Sequence, residues 1–225
     1  MINNSTVIGI IPARGGSKGI FRKNLVNISG KPLINWTISE AKKLNLLDEL
    51  ILSSDDEEIM SCAKVAGCNV PFKRPAHLAT DEASTIDVVF HALSEFPDYD
   101  YVILLQPTSP LRKGQDIENA INLMVKKNAP ACLSVSSIKM KPDWMFYVDK
   151  DKKLDKVIKN NEFKSRRQEL RETFVPNGAI YIADTAWLKE NRSFYSDETV
   201  GYVMPADVSV DIDDISDIKD CEMVL

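Results

Sequence analysis

Histidine and cysteine are both scarce, with two and four residues in a chain of 225. The cysteines, Cys62, Cys68, Cys132 and Cys221, form no C-x-x-C pair, and His77 and His91 are too few to complete a zinc shell around them. A disulfide framework is not needed either, because a chain of this length can bury a large share of its surface without staples. No apolar run approaches the roughly 18 residues of a membrane span. The polar start at Asn3 and Asn4 leads into a short apolar stretch that stops at Pro12 and Arg14. With no basic leader and no small-residue cleavage site it does not read as a signal peptide. Free thiols then suggest a reducing compartment, and the cytoplasm is the expectation. A basic excess is missing too: 28 Lys and Arg stand against 33 Asp and Glu, a net charge of -5. That argues against affinity drawn mainly from neutralising nucleic-acid phosphates, although a local basic patch can survive within it, so any anion site must be local.

What is present alternates. Short β-rich runs (Val7 to Ile11, Leu50 to Ser53, Val70 to Phe72) are followed by helix-period segments (Leu33 to Leu44, Glu57 to Ala66, Ile86 to Glu95), the order of βαβ units. Ile86, Val89, Phe90 and Leu93 fall at i, i+3, i+4 and i+7, and Ile117, Ala120, Ile121 and Met124 repeat that spacing, each giving one apolar helix face. Val102 to Leu105 and Leu133 to Val135 are apolar throughout, as in strands covered on both faces. Gly178 to Ala183 and Val200 to Met204 read as further strands, and Ile215 to Val224 as a closing helix. The expected fold class is α/β, a three-layer, mostly parallel sheet in a single unit spanning residues 1–225. Between 138 and 175 the pattern breaks: residues 149–173 hold nine Lys and Arg against six Asp and Glu, while the rest of the chain holds 19 against 27. This basic insertion is either a solvated excursion or a lobe that meets a partner subunit or an anionic ligand. The Trp144, Met145, Phe146 and Tyr147 cluster within it needs cover, which favours the lobe.

Three motifs carry chemistry. The first strand runs into Arg14-Gly15-Gly16-Ser17-Lys18-Gly19 and on to Arg22-Lys23-Asn24. Glycines let successive N–H groups face phosphate oxygens, and Arg14, Lys18 and Lys23 add charge, although the alternative of a polar turn stands beside this reading. Neither the Walker A spacing nor G-x-G-x-x-G is met. The second motif, Gln106-Pro107-Thr108-Ser109-Pro110-Leu111-Arg112, follows a strand and is stiffened by its prolines. Ligands of open α/β sheets bind beyond the carboxyl ends of the strands, so Gln106, Ser109 and Arg112 would project toward the first loop, unless the segment is a structural turn. In the third, Ser209-Val210-Asp211-Ile212-Asp213-Asp214, strand alternation would put Asp211 and Asp213 on one face, a carboxylate pair that suits Mg²⁺ beside substrate phosphates. The competing role is capping of the final helix by Asp213 or Asp214.

These motifs, together with Asn177-Gly178-Ala179-Ile180-Tyr181, closely resemble those of the acylneuraminate cytidylyltransferases, the CMP-sialic acid and CMP-legionaminic acid synthetases, over nearly the whole chain. The resemblance implies a Rossmann-like fold and CMP transfer from CTP to the anomeric hydroxyl of a nine-carbon 3-deoxy-2-ulosonic acid. It also implies a need for Mg²⁺ and a homodimer built through an exchanged arm, here residues 138–175. It places Arg14, Ser17, Lys18 and Lys23 at the triphosphate, within the loop whose Gly15 and Gly16 amides are expected at the nucleotide phosphates, Asn24 nearby, and Arg74 and Ser84 beside the cytosine and ribose. Gln106, Arg167, Asn177 and Tyr181 match acceptor-sugar contacts, and Asp211 and Asp213 the metal ligands. Ser84 reads from local sequence as a helix N-cap, a compatible role. Two positions depart from the family: Phe21 stands where many members have proline, and Val175 precedes Pro176 where sialic-acid members commonly have arginine. A di-N-acylated acid such as legionaminic acid would lose less beside that apolar neighbour.

Catalysis of this kind is positioning and charge neutralisation, so Arg14, Lys18, Lys23 and Asp211 are the expected catalytic residues, and no histidine falls in a motif. Pseudaminic acid or the eight-carbon 3-deoxy-manno-octulosonate are rival acceptors. A nucleotide sensor without turnover, or an RNA-binding module using Lys150 to Arg171, are rivals from other classes, the latter opposed by the acidic total and by few aromatics in that stretch.

Overall fold

The computed structural model describes residues 5–159 and 166–225. In chain order it contains β1 (Val7–Pro12), a ribbon of β2 (Asn27–Ile28) and β3 (Lys31–Pro32), α1 (Leu33–Ala41), β4 (Glu49–Ser53), α2 (Glu57–Val65) and α3 (Thr85–Glu95). There follow β5 (Tyr101–Leu104), α4 (Gly114–Lys127), β6 (Ala131–Ser137), β7 (Phe146–Val148), β8 (Leu154–Lys156), β9 (Phe174–Asp184), α5 (Thr185–Asn191), β10 (Val200–Met204) and α6 (Ile215–Glu222).

The main sheet has the order β10-β6-β9-β5-β1-β4. β1 pairs in parallel with β4 and β5, and β10 with β6, whereas β9 runs antiparallel to both β5 and β6. Five strands therefore point one way and β9 alone points back. The reason is connectivity: the 138–173 excursion leaves and re-enters at the carboxyl end of the sheet, and its described residues hold no crossover helix to carry the chain back. Ile138 N–H donates to the Thr173 carbonyl at 3.1 Å and closes its base.

Both faces of β1 are buried, which is why its run is apolar without alternation. Val7 and Ile11 join the core packed by α1, α2 and α4, and Ile8 and Ile10 the core packed by α3 and α5. Helix starts are set by side chains: Asp56 accepts from the Glu58 and Ile59 N–H groups, Ser84 from Asp87 N–H, and Asp214 with Asp217 forms a capping box. A third, smaller core gathers Ile20, Ile28, Leu33, Leu111, Ile212 and Cys221. Ile20 lies within the glycine-rich loop, Leu111 in the second motif and Ile212, with Val210 packed alongside, in the third, so apolar side chains from all three pin those loops together.

Two expected strands are absent. Val70–Phe72 reduces to a single bridge between Asn69 and Ile51, because Pro71 has no N–H to extend the ladder. Ser209–Asp214 is not a strand either: Ile212 N–H is taken by the Thr108 carbonyl, and the N–H groups of Asp213 and Asp214 by the Asp217 carboxylate, so these three amides join no ladder.

The 138–173 excursion carries β7 and β8 as a two-stranded ribbon outside the main sheet. Tyr147, Val148 and Leu154 are exposed on it. Part of its basic stretch, residues 160–165, lies outside the described residues. No helix among the described residues is long and apolar enough to cross a membrane.

Candidate functional site

The loops that leave the carboxyl ends of β1, β4 and β5 enclose a polar cavity of about 280 Å³, lined among others by Arg14, Ser17, Lys23, Asn24, Arg74 and Gln106. Gly16 lines it with open space where a side chain would stand. Gly15 does something else than expected. Its N–H donates to Asp55 Oδ1 at 3.0 Å, and its missing side chain admits Asp56, whose Cβ lies 2.9 Å from where a Gly15 Cβ would be. It docks the loop and does not offer an amide to a ligand. Gly19 likewise serves contact, since a Cβ there would overlap the Asp213 carbonyl oxygen.

The cations are held in different ways. Arg14 and Lys18 share the Asp81 carboxylate at 2.6 and 3.1 Å, which pulls that acid below the usual carboxylate range, Arg14 contributing most. Lys23 Nζ donates to the Ile212 carbonyl at 2.7 Å and to Asp213 Oδ1 at 2.8 Å, tying the glycine-rich loop to the acidic segment. Arg22, at φ 53°, turns its guanidinium away from the cavity onto Asp56 and Glu58. Asn24 donates to the Arg14 carbonyl, and its buried Oδ1 has no partner among the described residues, leaving one acceptor for a ligand donor. Arg74 is buried on the cavity wall, held by Ser53, and desolvation lowers it to about 10 while leaving it charged at neutral pH.

Gln106 lines this cavity and also a second, more apolar one of about 310 Å³, which it shares with Ile86, Leu133, Tyr181, Phe194 and Tyr195. Tyr181 and Phe194 pack with ring centroids 5.5 Å apart. Burial, with Asp211 second, raises the Tyr181 hydroxyl above its ordinary value.

Asp211 is exposed along one side, yet the chain crowds the rest of its carboxyl. Desolvation and, further down, Asp213 hold it above the ordinary range, while a Thr108 hydrogen bond and Lys23 pull the other way. Asp214 takes the capping role that stood as the alternative.

The cytidylyltransferase family model matches residues 8–200, which takes in the glycine-rich loop and both cavities. The chain belongs to the cytidylyltransferase family. It is 34% identical over 215 residues to a pseudaminic acid cytidylyltransferase of Campylobacter jejuni, covering 93% of this chain and 92% of that protein. It is 36% identical over 214 residues to a CMP-N,N'-diacetyllegionaminic acid synthase of Legionella pneumophila, covering 92% and 90%. In three dimensions it resembles a CMP:2-keto-3-deoxy-manno-octonic acid synthetase complexed with CTP, with a TM-score of 0.74, 17% identity and 98% of each chain covered, a likeness of fold.

Several residues of this cytidylyltransferase are placed otherwise than expected. Arg112 does not project into the cleft: it is 1% exposed, and its guanidinium donates to the Gln106 and Ala179 carbonyls at 3.1 and 2.7 Å and to Thr37 Oγ1 at 2.6 Å. Ser109 is buried as well, its hydroxyl without a partner among the described residues. Asn177 is 7% exposed and bonded wholly within the chain. Ser84 caps α3 and lines neither cavity, although Ala83 and Thr85 beside it do. Arg167 lies exposed on the excursion, and neither it nor Val175 lines either cavity. Sequence reading passed over Asp55, Asp56 and Asp81. Only Asp56 carried a local signal, an acid just before a helix-period run.

Proposed function

We propose that the chain transfers a cytidylyl group from CTP to the anomeric hydroxyl of a nine-carbon 3-deoxy-2-ulosonic acid and releases pyrophosphate. The observation that carries this is the pair of adjoining cavities joined at Gln106. One is polar and cationic and suits a nucleoside triphosphate. The other is walled by Tyr181, Phe194, Tyr195 and Ile86 and suits the acyl groups of an N-acylated sugar. Pseudaminic and legionaminic acids, both di-N-acylated, stand about equally as acceptors. The apolar second wall disfavours an octulosonate, which has hydroxyls and no acyl group.

Arg14, Lys18 and Lys23 would bind the triphosphate and stabilise the pyrophosphate as it leaves. Asp211 and Asp213 would hold Mg²⁺, and the donor set fits: a carboxyl raised by its surroundings gains from a cation, and both donors are oxygens. Among the described residues no cluster of three or more possible metal-ligating acids, histidines or cysteines occurs, so phosphates and water would complete the shell. A bound Mg²⁺ supplies charge neutralisation at the phosphates. A homodimer is the proposed assembly, supported by the exposed Tyr147, Val148, Leu154 and Phe174. In such a dimer Arg167, which lines neither of its own cavities, would serve the partner's sugar.

The test is pyrophosphate release with CTP and Mg²⁺ against legionaminate, pseudaminate, N-acetylneuraminate and octulosonate at equal concentration. Turnover with a di-N-acylated acid at least about tenfold above octulosonate is expected. Turnover with octulosonate alone overturns the acceptor assignment, and none with any acid overturns the reaction.

Asp81 presents a second measurable consequence. It occupies Arg14 and Lys18 in the unliganded chain, so CTP must compete with it. Asp81→Asn is expected to tighten CTP binding by about threefold in a calorimetric titration, the modest gain of releasing exposed ion pairs. Weaker binding would mean that Asp81 orients the cations productively.

A further inference from the structure

Asn177 has four hydrogen-bonding positions on its side-chain amide, two acceptor lone pairs and two donor hydrogens, and the protein uses all of them. Oδ1 accepts from Ser134 Oγ at 2.6 Å and from Ala179 N–H at 3.3 Å, and Nδ2 donates to Ser209 Oγ at 2.9 Å and toward Met204 Sδ at 3.3 Å. The Ala179 N–H fixes which end of the amide carries oxygen. No position is left for a sugar hydroxyl. The residue stands at an irregularity of β9, where pairing with β6 jumps between Leu133 and Val135 and where Gly178 adopts φ +77°. That irregularity faces the acidic segment: a Cβ on Gly178 would stand 3.5 Å from Asp211 Oδ2.

Asp211 is thus held from both sides along the chain. Downstream, Ile212 donates its N–H to the Thr108 carbonyl at 2.8 Å and is completely buried. Upstream, Ser209, whose hydroxyl also donates to the Pro205 carbonyl at 2.7 Å, is fastened to Asn177. Only Val210 separates Ser209 from Asp211.

We propose that Asn177, acting through Ser209, is a positioning residue that sets the Asp211 carboxylate for its divalent cation, and that it makes no contact with the acceptor sugar. This rests on the assignment of Asp211 as a metal ligand. A carboxylate on an otherwise irregular segment sweeps a wide arc, and a ligand that must meet a cation at a fixed distance binds it tightly only when that arc is closed beforehand.

The probe is Mn²⁺, titrated by electron paramagnetic resonance into the full chain in the presence of CTP, alongside steady-state KM values for the acceptor at saturating Mg²⁺. Because Asn177→Ala removes a buried amide and can compromise folding, Ser209→Ala is the decisive variant. It cuts the same tie at a half-buried site. Ser209→Ala is expected to raise the Mn²⁺ dissociation constant about five- to tenfold, the effect of one lost hydrogen bond on a held ligand, with acceptor KM unchanged. Asn177→Ala, where it folds, is expected to do the same. Unchanged Mn²⁺ affinity in Ser209→Ala, with Asp211→Asn clearly weakened, overturns the positioning role alone. Unchanged affinity in Asp211→Asn overturns the metal assignment and the proposal with it. A rise in acceptor KM for Asn177→Ala at saturating metal, without a change in Mn²⁺ binding, restores Asn177 as a sugar contact.

Discussion

Replacing Gly19 with alanine is expected to lower kcat/KM for CTP by about 100-fold while changing the unfolding midpoint little. The added methyl would overlap the carbonyl oxygen of Asp213, a backbone atom that cannot rotate out of the way. Either the glycine-rich loop or the acidic segment must back off. Lys23 bridges the two, reaching the Ile212 carbonyl and Asp213 Oδ1, so its ammonium would be displaced along with the loop. A misplacement of about 1 Å between groups that act on one reacting centre costs on the order of 100-fold in rate. The overlap is local and the loop borders solvent, so the sheet can remain intact. Steady-state kinetics and a urea titration on the same preparation separate the two effects. A variant that folds normally and retains kcat/KM within about threefold would refute the view that close approach of these loops assembles the site.

Arg112→Met is expected to do the reverse, losing stability first. The guanidinium holds the Gln106 carbonyl at the end of β5, the Ala179 carbonyl in β9 and the Thr37 hydroxyl on α1, and none of the ion pairs among the described residues includes it. Burial lowers it to about 10, so it remains charged at neutral pH and satisfies these acceptors with charge-assisted bonds. Methionine fills similar volume and leaves the acceptors without that donor, at a cost of about 3 kcal/mol in a urea denaturation series. Arg112→Lys, which can reach fewer of the three, should lose a part of that. A contact with ligand would give the opposite signature: an unchanged urea midpoint and a raised KM.

The fate of Arg112 illustrates where reading along the chain stops. The layered α/β sheet was legible because burial on both faces of β1 and β5 leaves continuous apolar runs, and one-sided burial leaves the 3.6-residue rhythm of α3 and α4. The glycine-rich loop and Gln106 were legible through composition at strand ends, and the structure brings them to one cavity. Arg112 and Asn177 are both buried and bonded within the chain, for one physical cause. A polar side chain within a ligand-binding motif looks alike whether it faces the ligand or braces the motif, and what decides it is a partner distant in sequence, Thr37 and Ala179 in one case, Ser134 and Ser209 in the other. The supposed strand carrying Asp211 and Asp213 failed similarly, because the amide of Ile212 is claimed by Thr108. Asp81 left no trace at all, being one acid among many until Arg14 and Lys18 are seen to share it.

The small core of Ile20, Leu111 and Ile212 has a bearing on motion. Loops from the beginning, middle and end of the chain each contribute a buried greasy peg to it, so no one of them can open without exposing the pegs of the other two. The rim of the cleft then behaves as a single cooperative unit, whose amides exchange with solvent together and at a common opening free energy, lower than that of the sheet beneath it. Trimming Ile212 would therefore speed exchange in the distant glycine-rich loop as much as in its own segment.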